Sequence, residues 1–525
     1  MGIRRDGSRS RFDRARGGRS RSGAQGVGGG VSRGWRRARA RSRPGSLGAR
    51  RGPGPGPIRE RRMSADAEPG EARAAAGEAV DKTLFQLSYP LLLNAGIGMI
   101  VTLIDTILIS SYSANAAAAV SLANQILLVA YDLSVLFAVG GVALISRALG
   151  RGDADAARSI ALTTVAANFV LSLVLGSALL LAGRTMAAWI NTPAEIFEDT
   201  VLYLQIASAT IVFNGVMMAG TATLRGFGRT RMLLFLGIFA YALYLLAASL
   251  LIFGFGPFPE LGVAGSAIAT LIVRVQGMFV LLFVLWRSLG VRIRDWLEGA
   301  QLKQTLKDLL EISFPTTADN LAYGVYQMFL VSFIARFDVA MVLARSFTLA
   351  LSSFLIVVLM AISQANEVMV GYRFGAGRKK SVFAAAFHAS WVATVLTTGL
   401  AVALYLSADP LLGLFTDDPV VLAEASRLLW LTIFVQPLSA VNTVLFHSLK
   451  TMGDVRVPVI ATQLMMWGIS LPLAWWLCVD RQLGVIGLWY VLIFEEALKA
   501  IVIAWRFLRF FNPDERTLSE PPVSS

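Results

Sequence analysis

From Leu84 onward the chain alternates apolar runs of about 20–30 residues with short polar stretches. A helix rising 1.5 Å per residue needs about 20 residues to cross a hydrocarbon layer roughly 30 Å thick. The pattern therefore predicts twelve membrane-crossing helices, at 84–110, 116–146, 159–182, 200–224, 232–254, 262–286, 309–335, 339–371, 383–406, 426–448, 457–478 and 484–507. The first, LFQLSYPLLLNAGIGMIVTLIDTILIS, carries Pro90 near one end and Asp105 near the other. An acid in such a run is costly, so it is either functional or placed at the membrane interface.

The pattern repeats. Pro90, Gly150, Gly228 and Arg231 recur as Pro315, Gly375, Gly453 and Arg456, each 225 residues later. Pro193 pairs with Pro419, and the dipeptide at Leu261 and Gly262 with the one at Leu483 and Gly484, at nearly the same offset. So many landmarks at one spacing mark a duplication. Each half holds an even number of predicted helices, so both halves enter and leave on one face, and the repeats are parallel, related by an axis along the membrane normal. The expected fold is an all-α polytopic membrane protein of two pseudo-symmetric six-helix bundles. Its expected parts are a tail at 1–80, a first lobe at 81–290, a cytoplasmic linker at 291–308, a second lobe at 309–510 and a tail at 511–525.

Composition agrees with the membrane class: 55% of residues are hydrophobic and mean hydropathy is +0.61. The net charge of +14 is localised. Residues 1–62 carry 19 Arg against Asp6, Asp13 and Glu60, so the basic character belongs to the tail and not to the helical body. That Arg, Gly and Pro-rich tail cannot bury a core and is expected to be disordered. It reads as an upstream mis-start with Met63 as the true beginning, as a polybasic segment drawn to anionic lipid, or as an RNA-binding arm; overall no nucleic-acid partner is expected. The five loops after even-numbered helices and between the halves hold 17 Lys or Arg, whereas the opposite loops hold Arg184, Arg336 and Arg481. This asymmetry predicts both termini in the cytoplasm and a multi-pass protein of the plasma (inner) membrane. One cysteine, Cys478, and two histidines, His388 and His447, argue against a disulfide framework, a metal site and a haem centre. With no nucleophile elbow, phosphate loop or metal motif, an enzyme is not expected, nor is any cofactor.

Candidate chemistry lies in the ionisable residues inside the predicted helices. Away from the ends of those helices, six acids (Asp105, Asp132, Asp319, Glu367, Glu495, Glu496) stand against three bases (Arg274, Arg345, Lys499). Asp132 falls near the midplane, beyond snorkelling reach. Asp319 follows Pro315 by one turn and shares a helical face with Tyr323, Tyr326 and Gln327, and Asn320 lies beside it. This polar and aromatic stripe suits a cationic guest, or else forms a seam between packed helices. Glu367 lies two turns from Arg373 and reads as a cavity acid or an interfacial one. Glu495 and Lys499 form an i,i+4 pair that reads as structural, and Arg274 and Arg345 read as counter-ions to acids or carbonyls. Asn94 and Gln125 are further candidates for the lining of a substrate cavity. A carboxyl held in a desolvated cleft can exchange a proton in the working pH range and gives it up to an approaching cation, so sparse acids in an apolar cavity point to cation antiport.

These residues resemble a known family. The LSYP and ISFP repeat, LIDTILIS, LGRGDADAARS, LRGFGRTR, LGVAGSAIATLIVR, FGAGRKKS and LKTMGDVRVP, in that order, are similar to the multidrug and toxic compound extrusion family over residues 84–508. The resemblance implies a V-shaped pair of six-helix lobes that exports organic cations or amphipathic compounds in exchange for H⁺ or Na⁺, and it places the family's helix-one acid on Asp105. It also places Tyr244 and Ala248 where many prokaryotic members carry Asn and Asp, Gly324 at a glutamate position and Ser439 at an aspartate position. A familiar Na⁺ cage is therefore incomplete, and the expectation leans to proton coupling, with Asp132, Asp319 or Glu367 as substitutes. The chain is expected to work as a monomer on organic cations. The alternative is a lipid-linked oligosaccharide flippase of the same superfamily, which would need a cavity rich in Arg and Lys.

Overall fold

The computed structural model describes residues 82–254, 257–289 and 302–511. The expected tails at 1–80 and 511–525, the Met63 start and the first part of the 291–308 linker lie outside the described residues, apart from Phe511. Within them the chain is helical, with no strand. Twelve long helices occur: α1 (Leu84–Tyr112), α2 (Asn115–Gly150), α3 (Ala154–Trp189), α4 (Phe197–Gly226), α5 (Thr230–Phe253), α6 (Gly262–Leu289), α7 (Leu302–Ile334), α8 (Val339–Gly375), α9 (Lys379–Leu406), α10 (Pro419–Met452), α11 (Arg456–Asp480) and α12 (Gly484–Phe511). Ten are long and apolar enough to cross a membrane. The exceptions are α7, which takes in Lys303, Lys307 and Asp308 from the expected linker and also holds Glu311, and α12, which holds Glu495, Glu496 and Lys499.

The helices run past their sequence-based ends because capping residues lie in the polar stretches. Thr83 and Gln86 form a reciprocal capping box before α1. Asp153, Asp338 and Asp418 accept backbone N–H groups at the starts of α3, α8 and α10. Gly453, at φ +92°, closes α10 in a left-handed turn that a side chain would strain.

The packing repeats as the sequence does. Within the first half α2 packs on α3 and α4, α3 on α4, and α4 on α6; within the second, α8 packs on α9 and α10, α9 on α10, and α10 on α12. Small residues allow close approach, as lipid-embedded helices require. A side chain on Gly176 would meet the Ser208 carbonyl, and one on Gly215 the Ser172 hydroxyl. Helix α2 is broken at Val135. Backbone groups freed by a break in a membrane need internal partners, and buried side chains of α3 and α4 supply them. The Phe137 amide donates to Asn168 Oδ1 at 3.2 Å, Ser172 donates to the Ser134 carbonyl at 3.5 Å, and Asn214 donates to Ser134 Oγ at 3.0 Å.

The halves meet through α1, α2, α7 and α8. At one end the repeat mates Gly150 and Gly375 touch: a side chain on Gly150 would strike the Tyr372 and Gly375 backbone, and one on Gly375 would strike that of Arg147. Two polar contacts flank them, and their donors are also mates. Arg147 donates to the Lys450 carbonyl at 3.4 Å, and Tyr372 donates to the Gly226 carbonyl at 3.1 Å.

Candidate functional site

A cavity of about 620 Å³ opens among α1, α2, α4, α5 and α6 and is closed on one side by Ile356–Gln364 of α8, so both halves contribute to its wall. Its making is visible in the residues that are absent from it. Gly98 of α1 gives room to the Tyr241 hydroxyl, Gly237 of α5 to Asn94, and Gly277 of α6 to Met217. Four tyrosines, Tyr131, Tyr203, Tyr241 and Tyr244, line it with Leu, Val and Met side chains, so a guest meets apolar rings with hydroxyl tips.

Among the described residues Asp105 is the one acid in the wall. Tyr244 Oη donates to its Oδ1 at 2.6 Å. Ala248, one turn beyond Tyr244, is fully buried and has no side-chain oxygen. Two cations share the wall, Arg225 and Arg274. Arg225 stands at the end of α4 and donates to Gln364 Oε1 of α8 at 2.7 Å. Arg274 makes no ion pair among the described residues; its guanidinium lies 3.9 Å from Met217 Sδ. Counting charges over whole helices gave acids the majority, but the cavity itself holds two guanidiniums to one carboxyl. Asn94 Oδ1 and Gln276 Oε1, also in the wall, are buried acceptors without a donor.

The depth of each group follows from helix geometry. Tyr112 at the end of α1 packs on Gly262 at the start of α6. At 1.5 Å per residue, Asp105 lies roughly 10 Å below that level and Arg274 roughly 18 Å below it. Thr270, beside the Tyr244 hydroxyl, stands between them in depth.

The other expected site residues are dispersed. Asp132, Gln125 and Asn320 are exposed and make no side-chain hydrogen bond among the described residues; Asn124, the neighbour of Gln125, is the one that lines the cavity. Asp319 lies in the second half, where Gln463 Nε2 donates to Oδ1 at 2.6 Å and Thr462 at 3.3 Å. Gln463 in turn accepts from Trp467 in a π-helical turn of α11. The stripe expected beside Asp319 is occupied with itself and its neighbours. Gln327 donates to Tyr323 and accepts from Arg345, and buried Tyr326 donates to Glu495. Arg345 thus holds a carbonyl oxygen, that of the Gln327 side-chain amide, as expected of it. Glu495 and Glu496 both pair with Lys499, as the i,i+4 spacing implied for the first.

Glu367 is 1% exposed and lies 3.0 Å from Lys450 Nζ and 3.4 Å from His447 Nδ1, both on α10. It is part of a buried ion pair and does not line the cavity. At the 225-residue offset Lys450 is the mate of Arg225, and Glu367 the mate of Val142. Among the described residues Arg225 makes no ion pair, and it reaches across to Gln364, one turn from Glu367.

Sequence reasoning had no access to Arg225, because the expected helix stopped at 224, nor to Tyr131, Tyr203 and Tyr241. The glycines opposite the bulky side chains were the available signal.

A family model, MatE, matches residues 90–251 and 315–476, together more than half of the chain and one stretch in each repeat. An uncharacterized transporter of Bacillus subtilis (strain 168), YisQ, is 28% identical over 430 residues, covering 81% of this chain and 94% of that protein. The probable multidrug resistance protein NorM of Thermotoga maritima is 24% identical over 427 residues, covering 80% and 92%. Among solved structures, the Vibrio cholerae MATE transporter VcmN superposes with a TM-score of 0.76 at 19% identity, covering 83% of this chain and 98% of that one.

Proposed function

The chain belongs to the MatE family of multi-pass membrane transporters, and from that premise we propose that it is a secondary active antiporter that exports organic cations or amphipathic compounds in exchange for protons. The observation that carries the reading is Asp105 facing Tyr244 in a cavity walled by both halves. A lone carboxyl with one phenolic donor can hold either a proton or the positive end of a guest. Holding one displaces the other, which is exchange by competition at a single group. The halves would part at the Gly150 and Gly375 end to admit cargo and close there to release it, so that the site faces one side at a time. Both termini would lie in the cytoplasm and the protein in the plasma (inner) membrane, in keeping with the 17 basic residues on one set of loops.

Asp105 carries the coupling in this reading, and Tyr244 replaces the oxygen ligands that a Na⁺ cage would need at Ala248. Asp319 and its Gln463 and Trp467 partners form a second polar site in the other half, while Glu367 holds the fold. The test is transport of a fluorescent organic cation by the purified protein in proteoliposomes, driven by an imposed pH gradient or an imposed Na⁺ gradient. Uptake should follow the pH gradient and be lost in Asp105→Asn. Transport that follows Na⁺ and ignores pH, or an Asp105→Asn variant with unchanged transport, would overturn the assignment.

A further inference from the structure

A second cavity, of about 540 Å³, lies where α1 and α5 begin and is walled by Lys82, Gln86 and residues 228–232. Cargo exchange at Asp105 does not account for it. Lys82, Arg229 and Arg231 bring three cations to this hollow, and among the described residues no acid lines it. Lys82 is held by the Gly228 carbonyl at 3.2 Å, where the backbone turns at φ +67°. Arg229 and Arg231 make no ion pair and no side-chain hydrogen bond among the described residues. Arg231 lies over the ring of Tyr89, 5.8 Å from its centroid, and Tyr89 stacks on Phe85. A guanidinium laid on a ring keeps its edge N–H donors open to an oxyanion.

The duplication provides an internal control. At the 225-residue offset the mates of Lys82, Gln86, Arg229 and Arg231 are Lys307, Glu311, Asp454 and Arg456. There the charges are met within the chain: Arg456 lies 3.6 Å from Glu311, and Asp454 pairs with Arg506. The first half holds Gln86 and Arg229 where the second holds those two acids. Three like charges around one hollow repel one another, and an anion seated among them relieves the repulsion.

The surroundings indicate which anion. The hollow lies at the starts of two membrane-crossing helices, the level of the lipid headgroups, on the set of loops rich in Lys and Arg. Phe85, next to Gln86, and Phe235, one turn beyond Arg231, are 74% and 69% exposed and offer apolar surface beside it. Basic pockets between membrane helices on such a face suit phosphate headgroups. We infer that this hollow binds the phosphate of an anionic membrane lipid, gripped by Arg229 and Arg231 beside Lys82, with acyl chains running over Phe85 and Phe235. The headgroup clasps the start of α1 to the start of α5, the two helices that carry Asp105 and Tyr244. The site takes no cargo, so it stands apart from the exporter reading.

The test is thermal unfolding of the full-length protein in a neutral detergent, titrated separately with dioleoylphosphatidylglycerol, dioleoylphosphatidylcholine and sodium phosphate. Phosphatidylglycerol should raise the unfolding temperature by a few degrees and saturate, and the other two should have little effect. Arg229→Gln combined with Arg231→Gln should weaken half-saturation about tenfold or more, with an unfolding temperature in detergent alone close to that of the wild type. Gln86→Glu, which places the second half's acid beside Arg231, should remove the response with both arginines present; it decides the matter if the double variant is less stable without lipid. All variants keep the arginine-rich tail, so a phosphatidylglycerol response that survives in them belongs to the tail or to other loops and overturns the proposal. Phosphatidylcholine that stabilises the wild type as well as phosphatidylglycerol does would overturn it too. Sodium phosphate that matches phosphatidylglycerol at equal concentration would make a free phosphate the ligand and overturn the lipid assignment.

Discussion

Replacing Glu367 by glutamine distinguishes a structural acid from a coupling acid. Glu367 is 1% exposed and Lys450 4%, with 3.0 Å between the charged atoms. His447 and, across the lobe boundary, Arg225 are its other charged or chargeable neighbours. Glu367→Gln removes the one negative charge from this knot and strands a buried ammonium. Breaking one side of a buried pair costs about 3–5 kcal/mol, much of it the penalty of the charge left behind. Lys450→Met in the same background removes that stranded charge, so the double variant should recover about half or more of the loss. The assay is thermal unfolding in detergent followed by size-exclusion chromatography, across all four members of the cycle. At about 2–4 °C per kcal/mol for domains of 150–250 residues, and less for a longer chain, the single variant should unfold several degrees earlier. The double variant should transport a fluorescent cation under a pH gradient at close to the wild-type rate. The reasoning is refuted if Glu367→Gln keeps wild-type stability and loses transport, because Glu367 would then belong to the coupling chemistry.

Two further perturbations test the interface and the broken helix. Gly375→Val places methyl groups against the Arg147 backbone, which cannot move aside as a flexible side chain could. The halves should then fail to close at that end. In a background where the buried Cys478 is the chain's own and lone cysteine, an introduced Ala361→Cys should be labelled several-fold faster by a membrane-impermeant maleimide added from that side; equal labelling rates would show that the glycine contact does not set the closed state. Asn168→Leu keeps volume but leaves the Phe137 amide unpaired within α2, at a cost of about 1–3 kcal/mol, and should lower the unfolding temperature without changing the affinity for cargo. A drop in affinity at unchanged stability would mean that the break shapes the cavity directly.

Much of the fold was legible because membranes impose simple rules. Length and polarity located the helices, and the 225-residue offset located the duplication, which the packing of α2, α3, α4 and α6 against that of α8, α9, α10 and α12 reproduces. The cavity was less legible. These helices are apolar on every side, so periodicity does not say which face turns inward. Gln125 was the expected lining residue, yet Asn124 points into the cavity. Arg225 was assigned to a loop because polar residues usually end a span, but α4 continues to Gly226. Arg274 was expected to have an acid or carbonyl partner and has Met217 instead. Asp105 stood out as the lone acid of the first apolar run, and the family resemblance decided between a functional and an interfacial role for it. The Asp319, Tyr323, Tyr326 and Gln327 face was correctly placed on one helix, but which of its members would be consumed depended on other helices: Arg345 on the next one, and Glu495 and Gln463 more than a hundred residues away.

The mates Arg225 and Lys450 carry a consequence for the working cycle. Lys450 has its acid inside its own half, so in the proposed cycle the pair would be kept whichever way the halves face. Arg225 borrows Gln364 from the other half and must let go of it whenever they separate at that end. Two arms with the same backbone are therefore unequal at the moment of opening: one stays electrically quiet, and the other turns a released guanidinium toward the mouth through which a solute enters. In the proposed cycle, this single mismatch would give the entrance its sign.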